Sequence, residues 1–463
     1  MTAPATRRTS LMIFLCALAL RLAWVLTLGD HLTWIDEREF AEVGTHLAAG
    51  HGYISDSFRN NPVVPFYLSL AFRVFGQHYL MPRIGQAIVG ALTCMLVYRT
   101  AASLISPIAG LFAGLLLAIY PAHIYVAGVF YVDAWLMFFC ALSVCLAVTT
   151  LKTGGQRGWT LLCGVSIGLT ALTREAFVTV LVATVIACLY SAGTRWRQQV
   201  PTCLVLVAGC LVTILPWTIR NYRVFGRPIL VSSGFYTMLW RGNNELATGE
   251  ASDRILMWNT PTWTERLERL PEDQRRALQD QYQTVDRAVI ERRQQLDDEV
   301  LATDDVLKPL AIAAIRANPG RTVVLMMRKV RTLFSALSQT ETNEFNNTRN
   351  TWVAGLSFYP ILILAMIGAG LGIPRRRELA LLYLVIGAIV FNYALLTACT
   401  RFRLPIDPYL IVFASLALET AWAAVTRSVG AIGVIGWRNV VAADEPVPSA
   451  VANETGTEGP SRA

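Results

Sequence analysis

The chain has 463 residues, of which 54% are hydrophobic and only 16% charged. A soluble protein carries nearer about 25% charge, so the composition excludes an ordinary soluble domain and predicts an all-α polytopic membrane protein. The net charge of +8 requires no nucleic acid, because much of the basic excess sits in short loops between apolar runs, where cytoplasmic loops carry it.

The first apolar run, 11–28, follows Arg7 and Arg8. It has the flanks of a signal peptide but no clean small-residue cleavage site, and many more runs follow. It therefore reads as a retained first helix. A first loop, 29–81, opens on "WIDEREF" and carries Asp36, Glu37, Glu39 and Glu42. Within it, "VVPFYLSLAFRVFG" (63–76) is short, holds Arg73 and begins at prolines, which suits an interfacial helix. Further runs near 82–99, 105–120, 131–151, 159–173, 176–192 and 200–217 reach or approach the length that crosses a bilayer. Three more lie near 351–372, 379–398 and 404–425, giving about ten spans in all.

Between them, 218–350 is polar enough to fold outside the membrane. Residues 262–308 are rich in Glu, Gln, Arg and Leu and predict helix. "RTVVLMMRKVRTLFSAL" (321–337) breaks an apolar run with basic residues and predicts a helix on the membrane surface. The tail after 440 reads as disordered. The nine cysteines all lie in apolar runs and read as packing residues. No internal repeat and no inverted pair of broken helices is visible. Four parts result: an N-terminal transmembrane module 1–217 that includes the loop 29–81, a helical extracytoplasmic segment 218–350, C-terminal transmembrane helices 351–425, and a cytoplasmic tail 426–463.

With the N-terminus inside, Arg99, Lys152–Arg157, Arg195–Arg197, Arg375–Arg377 and Arg427 all fall on the cytoplasmic side, with Glu378 as the one acid among them. The opposite face then collects the polar outliers. These are the first-loop acids, Asp133 at the end of a long uncharged run, Arg174 in "ALTREA", Arg220, Asn221 and Arg223 in "PWTIRNYRVFG", and Arg401 and Arg403 in "TRFRLP". The five histidines, 31, 46, 51, 78 and 123, lie in segments of that face too and do not read as a metal set. Arginines clamp phosphates through paired charged hydrogen bonds, and a carboxylate can take a proton from an attacking hydroxyl. This combination fits an anionic lipid headgroup such as a polyprenyl phosphate beside a proton acceptor. The plainer readings stand beside it. Glu39 and Glu42 suit a solvated loop, Asp133 suits an ordinary interfacial residue, and Arg21 inside the first run suits structural pairing as well as carrier binding.

"DEREFAEVGTHLAAGHGY" (36–53) resembles the acidic first-loop motif of the GT-C glycosyltransferases. "RIGQAIVGALTCMLVY", "YPAHIYVAGVFYVDA", "ALTRE", "PWTIRNYRVFG" with "GNNELATGE", "AIRANPGR" and "TRFRLPIDP" follow in the expected order. The likeness covers about 11–425 and looks closest to the bacterial, family-39-like branch of protein O-mannosyltransferases and lipid A aminoarabinose transferases. It implies a GT-C fold in the bacterial inner membrane, with transfer of a sugar from a polyprenyl-phosphate donor to a hydroxyl of a glycan, lipid or protein acceptor. Transfer inverts the anomeric carbon and takes place on the periplasmic face. The family's essential first-loop acid maps onto Asp36, with Glu37 beside it, and its second external acid onto Asp133. Arg220, Arg401, Arg403, Arg59 and Arg174 are the candidates for the donor phosphate, and Asn221, Asn243 and Asn244 for the substrate. Where relatives carry "R/K-P-P-L-Y", this chain has "RNNPVVPFY", with Arg59 and Pro62 as the equivalents. The resemblance leaves open whether a divalent cation takes part. Two rivals are a transporter or flippase of a lipid-linked anion, and an O-antigen-type polymerase or ligase.

Overall fold

The computed structural model describes residues 4–32, 34–53, 61–296, 298–336 and 348–443. Each apolar run forms a helix. The first run is α1 (Pro4–Leu28); two shorter helices, α2 (Ile35–Ala48) and α3 (Val63–Phe75), precede α4 (Leu80–Leu104). The third run breaks into α5 (Pro107–Ile119) and α6 (Pro121–Tyr125). α7 (Val132–Lys152), α8 (Arg157–Thr173), α9 (Thr179–Ala192) and α10 (Val200–Phe225) complete the N-terminal runs. Among the described residues six helical stretches are long and apolar enough to cross a membrane, or seven if the bent pair at 107–128 is one span. One of the six, Glu175–Phe225, is 51 residues long and holds both α9 and α10, so a count by stretches falls below a count by helices. α3 has 13 residues, about 20 Å of helix, too little for a crossing.

Two local causes set this packing. α8 and α10 meet through glycines: a Cβ on Gly164 would stand 2.4 Å from the Leu206 carbonyl, and one on Gly209 would stand 2.8 Å from that of Leu161. Only hydrogen at these positions lets the backbones approach so closely. At the break between α5 and α6 the chain bends by 59°, where Pro121 has no N–H to continue the ladder. The freed carbonyls of Leu117 and Ala118 accept from Arg21, which also donates to Ala17 and Cys94 and is 1% exposed. The charge inside the first run is therefore engaged in closing a helix end.

α11 (Phe235–Arg241), α12 (Pro261–Glu268), α13 (Glu272–Leu296) and α14 (Glu299–Ala317) pack around Trp240, Trp263, Tyr282 and Leu307. On α13 only the stripe Tyr282, Val285, Val289 is buried, the spacing of one helix face. α15 (Pro319–Leu333) follows, then α16 (Thr348–Gly372), α17 (Arg376–Leu395) and α18 (Asp407–Ala443). Residues Met1–Leu418 form one compact unit. Its main core runs from Ile13 to Ala414 and includes Val231, Ala251 and Leu333 of the polar segment. Glu419–Ala463 is a second unit, in which α18 continues to Ala443; the tail from 444 lies outside the described residues.

Candidate active site

The first turn of α2 is fixed by Glu37. Its Oε2 accepts from the backbone N–H of Trp34 at 3.1 Å, the reach of an N3 glutamate back to the start of its helix. Its Oε1 accepts from the N–H of Phe130 at 3.0 Å, just before α7. Arg83, on the first turn of α4, lies 3.7 Å from that oxygen. It donates to the carbonyls of Gly128 (2.9 Å), Gly29 (2.7 Å) and His31. Glu37 and Arg83 are each 1% exposed. Together they lock α2 against the segment that begins α7.

Asp36, one residue earlier on the helix, is turned about 100° from Glu37. It meets Asp133 through Arg401. The Arg401 Nε donates to Asp133 Oδ2 at 2.6 Å, and its Nη1 lies 3.5 Å from Asp36 Oδ2. The guanidinium also stacks on Tyr131, 3.7 Å from the ring centroid. Asp133 sits in the first turn of α7, where the helix dipole favours a negative charge. Its side chain is fully buried, whereas Asp36 and Arg401 keep 22% and 23% exposure. The Asp133 Oδ1 is buried with no hydrogen-bond partner. Burial opposes the charge on Arg401, yet Asp133, Tyr131 and Asp36 together push its pKa up, so it stays cationic. The arrangement is one half-open carboxylate, one closed carboxylate with a spare oxygen, and a permanent cation between them.

A family model described as dolichyl-phosphate-mannose-protein mannosyltransferase matches residues 59–219, less than half of the chain. No curated protein matches. Archaeal oligosaccharyltransferase AglB from Archaeoglobus fulgidus, in complex with an inhibitory peptide and a dolichol-phosphate, superposes with a TM-score of 0.55 at 16% identity, over 94% of this chain and 52% of that one. The chain has the GT-C fold. The A. fulgidus oligosaccharyltransferase in complex with Zn and sulfate gives the same TM-score of 0.55 at 16% identity, over 92% of this chain and 51% of that one. The chain thus spans about half the length of these proteins. ArnT from Cupriavidus metallidurans, bound to undecaprenyl phosphate, is 15% identical over 89% of this chain and 77% of that one, at a TM-score of only 0.37.

The other expected residues fall into four groups. Arg174 donates to Tyr393 Oη at 2.9 Å and lies 4.6 Å from the ring of Phe402, the residue after Arg401 in the chain. Arg220 lies apart, among the rings of Trp217 (4.9 Å), Tyr53 (5.2 Å) and Phe225 (5.7 Å), and donates to Asn221 Oδ1 at 3.1 Å. Arg59 lies outside the described residues. The rest are engaged in holding the fold. Arg403 is 5% exposed, pairs with Asp407 at 3.1 Å, donates to the Ser335 carbonyl at 2.9 Å and stacks 3.4 Å from Phe358. Asn221 donates to the carbonyls of Ile229 and Val231, and Asn243 to those of Leu239 and Leu395. Asn244 donates to Trp240 and Arg241 and accepts from Leu246.

Among the described residues no three His, Cys, Asp or Glu side chains are grouped to hold a metal ion. The position between Asp36 and Asp133, where a shared cation would lie, is filled by the Arg401 guanidinium. As placed, these residues do not fit a divalent cation. A cavity of about 500 Å³ lies on the other face of α2, lined by Arg38, Glu42, Thr45 and His46 with Asp30 and Tyr79. Arg83 was missed in the sequence because an arginine at the start of an apolar run looks like an interface anchor.

Proposed function

We propose that the chain is an integral membrane glycosyltransferase of the bacterial inner membrane, working at its periplasmic face. It moves a sugar from a polyprenyl-phosphate donor to a hydroxyl of an envelope lipid, polysaccharide or protein, with inversion. The observation that carries this reading is the meeting of Asp36, Asp133 and Arg401, from three distant parts of the sequence, at one end of the bundle. The family description of residues 59–219 and the dolichol-phosphate held by AglB support a lipid-linked donor.

Asp36 is the half-exposed carboxylate and takes the acceptor's proton as the hydroxyl oxygen bonds to the anomeric carbon. The bond from that carbon to the phosphate oxygen breaks, and polyprenyl phosphate leaves with the electron pair. Arg401, 3.5 Å away, aims the Asp36 carboxylate. Asp133, fully buried, anchors Arg401 through one oxygen and so fixes the cation that faces Asp36. Arg174, 4.6 Å from the ring of Phe402 in the turn that carries Arg401, meets the departing phosphate, an electrostatic role.

The test is turnover by the reconstituted protein of polyprenyl-phosphate hexoses and pentoses carrying a labelled sugar. Label should leave the lipid and polyprenyl phosphate should appear. Label that crosses the bilayer while still attached to its carrier would favour the transporter instead, and no turnover of any donor would reject the enzyme.

A further inference from the structure

α15 has two unlike faces. Thr322, Leu325, Lys329 and Leu333 point into the protein. The opposite stripe leaves Val323 59%, Val324 50% and Met327 67% exposed, with Arg331 exposed among them and Arg328 exposed at one edge. At 100° per residue these five side chains fall within one arc of about 140°. A stripe that mixes exposed aliphatic groups with arginines is unfavourable in water and unfavourable in hydrocarbon, and suits the boundary between them.

The buried face places α15 at that boundary. Lys329 Nζ donates at 3.3 Å to the carbonyl of Leu395, the last residue of α17, and at 3.3 Å to Asn243 Oδ1. α17 is part of the membrane-length stretch Thr348–Leu395, so its end marks where the apolar layer stops. Gly242 allows this contact: a Cβ there would stand 1.8 Å from the Leu396 carbonyl. Arg321 fastens the other end of α15 to the carbonyls of Asn243, Asn244, Glu245 and Ala247, and Thr332 donates to that of Gly249. α15 is thus held rigidly at the membrane edge with its mixed stripe outward.

We propose that this stripe is a docking surface for the anionic headgroups of the bilayer. Val323, Val324 and Met327 enter the headgroup boundary while Arg328 and Arg331 pair with lipid phosphates. A neutral bilayer would take the aliphatic groups but give the arginines less, so the charge selects anionic lipid. The surface stands independently of the reading of Asp36. It also bears on that site's neighbourhood, because Ser335, just beyond α15, accepts from Arg403 in the turn that carries Arg401.

The test uses the full chain in vesicles of phosphatidylcholine with 30% phosphatidylglycerol, and in phosphatidylcholine alone. Spin-labelled lipids report the preference for phosphatidylglycerol. The double variant Arg328→Gln/Arg331→Gln should lower that preference by about threefold or more. Arg269→Gln/Arg276→Gln, on exposed pairs of the polar segment, should leave it unchanged. A nitroxide at position 327, introduced by Met327→Cys with Cys16→Ser, should be reached by oxygen more readily than by a water-soluble nickel complex. An unchanged lipid preference in the first double variant would overturn the proposal. So would aqueous accessibility at position 327, or disulfide-linked dimers through it, which would assign the face to a second copy of the chain.

Discussion

Arg401 and Arg403 lie two residues apart and read alike in the sequence, yet only Arg401 reaches the carboxylates. They stand in a 3₁₀ turn, Thr400–Arg403, in which each residue advances by about 120°. Two steps send the second side chain away, into Asp407 and Phe358. Charge at a helix end made Asp36, Asp133 and Arg401 legible, but the direction of each side chain was not. Asn221, Asn243 and Asn244 sit in the motifs "PWTIRNYRVFG" and "GNNELATGE" of the resemblance, and their amides donate to backbone carbonyls. The role of Arg401 leads to a prediction at this scale. Arg401→Ala leaves the Asp133 carboxylate buried without its partner, a change that costs about 3–5 kcal/mol. We expect a clear fall in the thermal unfolding temperature of Arg401→Ala in detergent, together with loss of transfer. Arg401→Lys should keep the fold but lose roughly tenfold in transfer, because an ammonium cannot bond both carboxylates in one planar fork. An alanine variant as stable as the parent would show that the pair does not depend on this cation.

At the level of elements, length and charge set two helices, α3 and α15, apart from the membrane-length ones. α3 was legible because 13 residues with an arginine cannot cross a bilayer, and α15 because basic residues interrupt its apolar run. The inward turn of Lys329 was not legible, since the sequence shows four basic residues on α15 and gives no sign which one is buried. Burial pushes the Lys329 ammonium down to about 8; the Asp253 charge pulls the other way, and Arg321 adds to the fall. The unfolded chain keeps its lysine near the ordinary value of 10.5. Between these two values the unfolded state therefore binds more protons, and stability rises with pH. The gain is about 3 kcal/mol at most. Lys329→Met lacks this titration. Melting curves from pH 7 to 10.5 should show the parent gaining on the variant above about pH 8, and a constant difference would contradict the buried charge.

At the scale of the molecule, composition alone gave a helical membrane protein, because a bilayer leaves the backbone few other solutions. The ten apolar runs became helices, but which helix lies beside which depends on glycine contacts such as Gly164 with Leu206, and on arginine closures such as Arg21 with Leu117. Neither is visible in a hydropathy pattern. Glu37 with Phe130 and Arg401 with Asp133 bring α2, the start of α7 and the turn after α17 to one place, and the central claim is that this place transfers sugar with Asp36 as its base. The most direct measurement is transfer from labelled polyprenyl-phosphate sugar in membranes that contain the parent chain, Asp36→Asn or Glu39→Gln at matched levels. Loss of a general base costs about 10²–10⁴-fold. We predict that Asp36→Asn falls by that much while still binding donor, and that Glu39→Gln, exposed on the same helix, stays close to the parent; full transfer by Asp36→Asn would contradict the account.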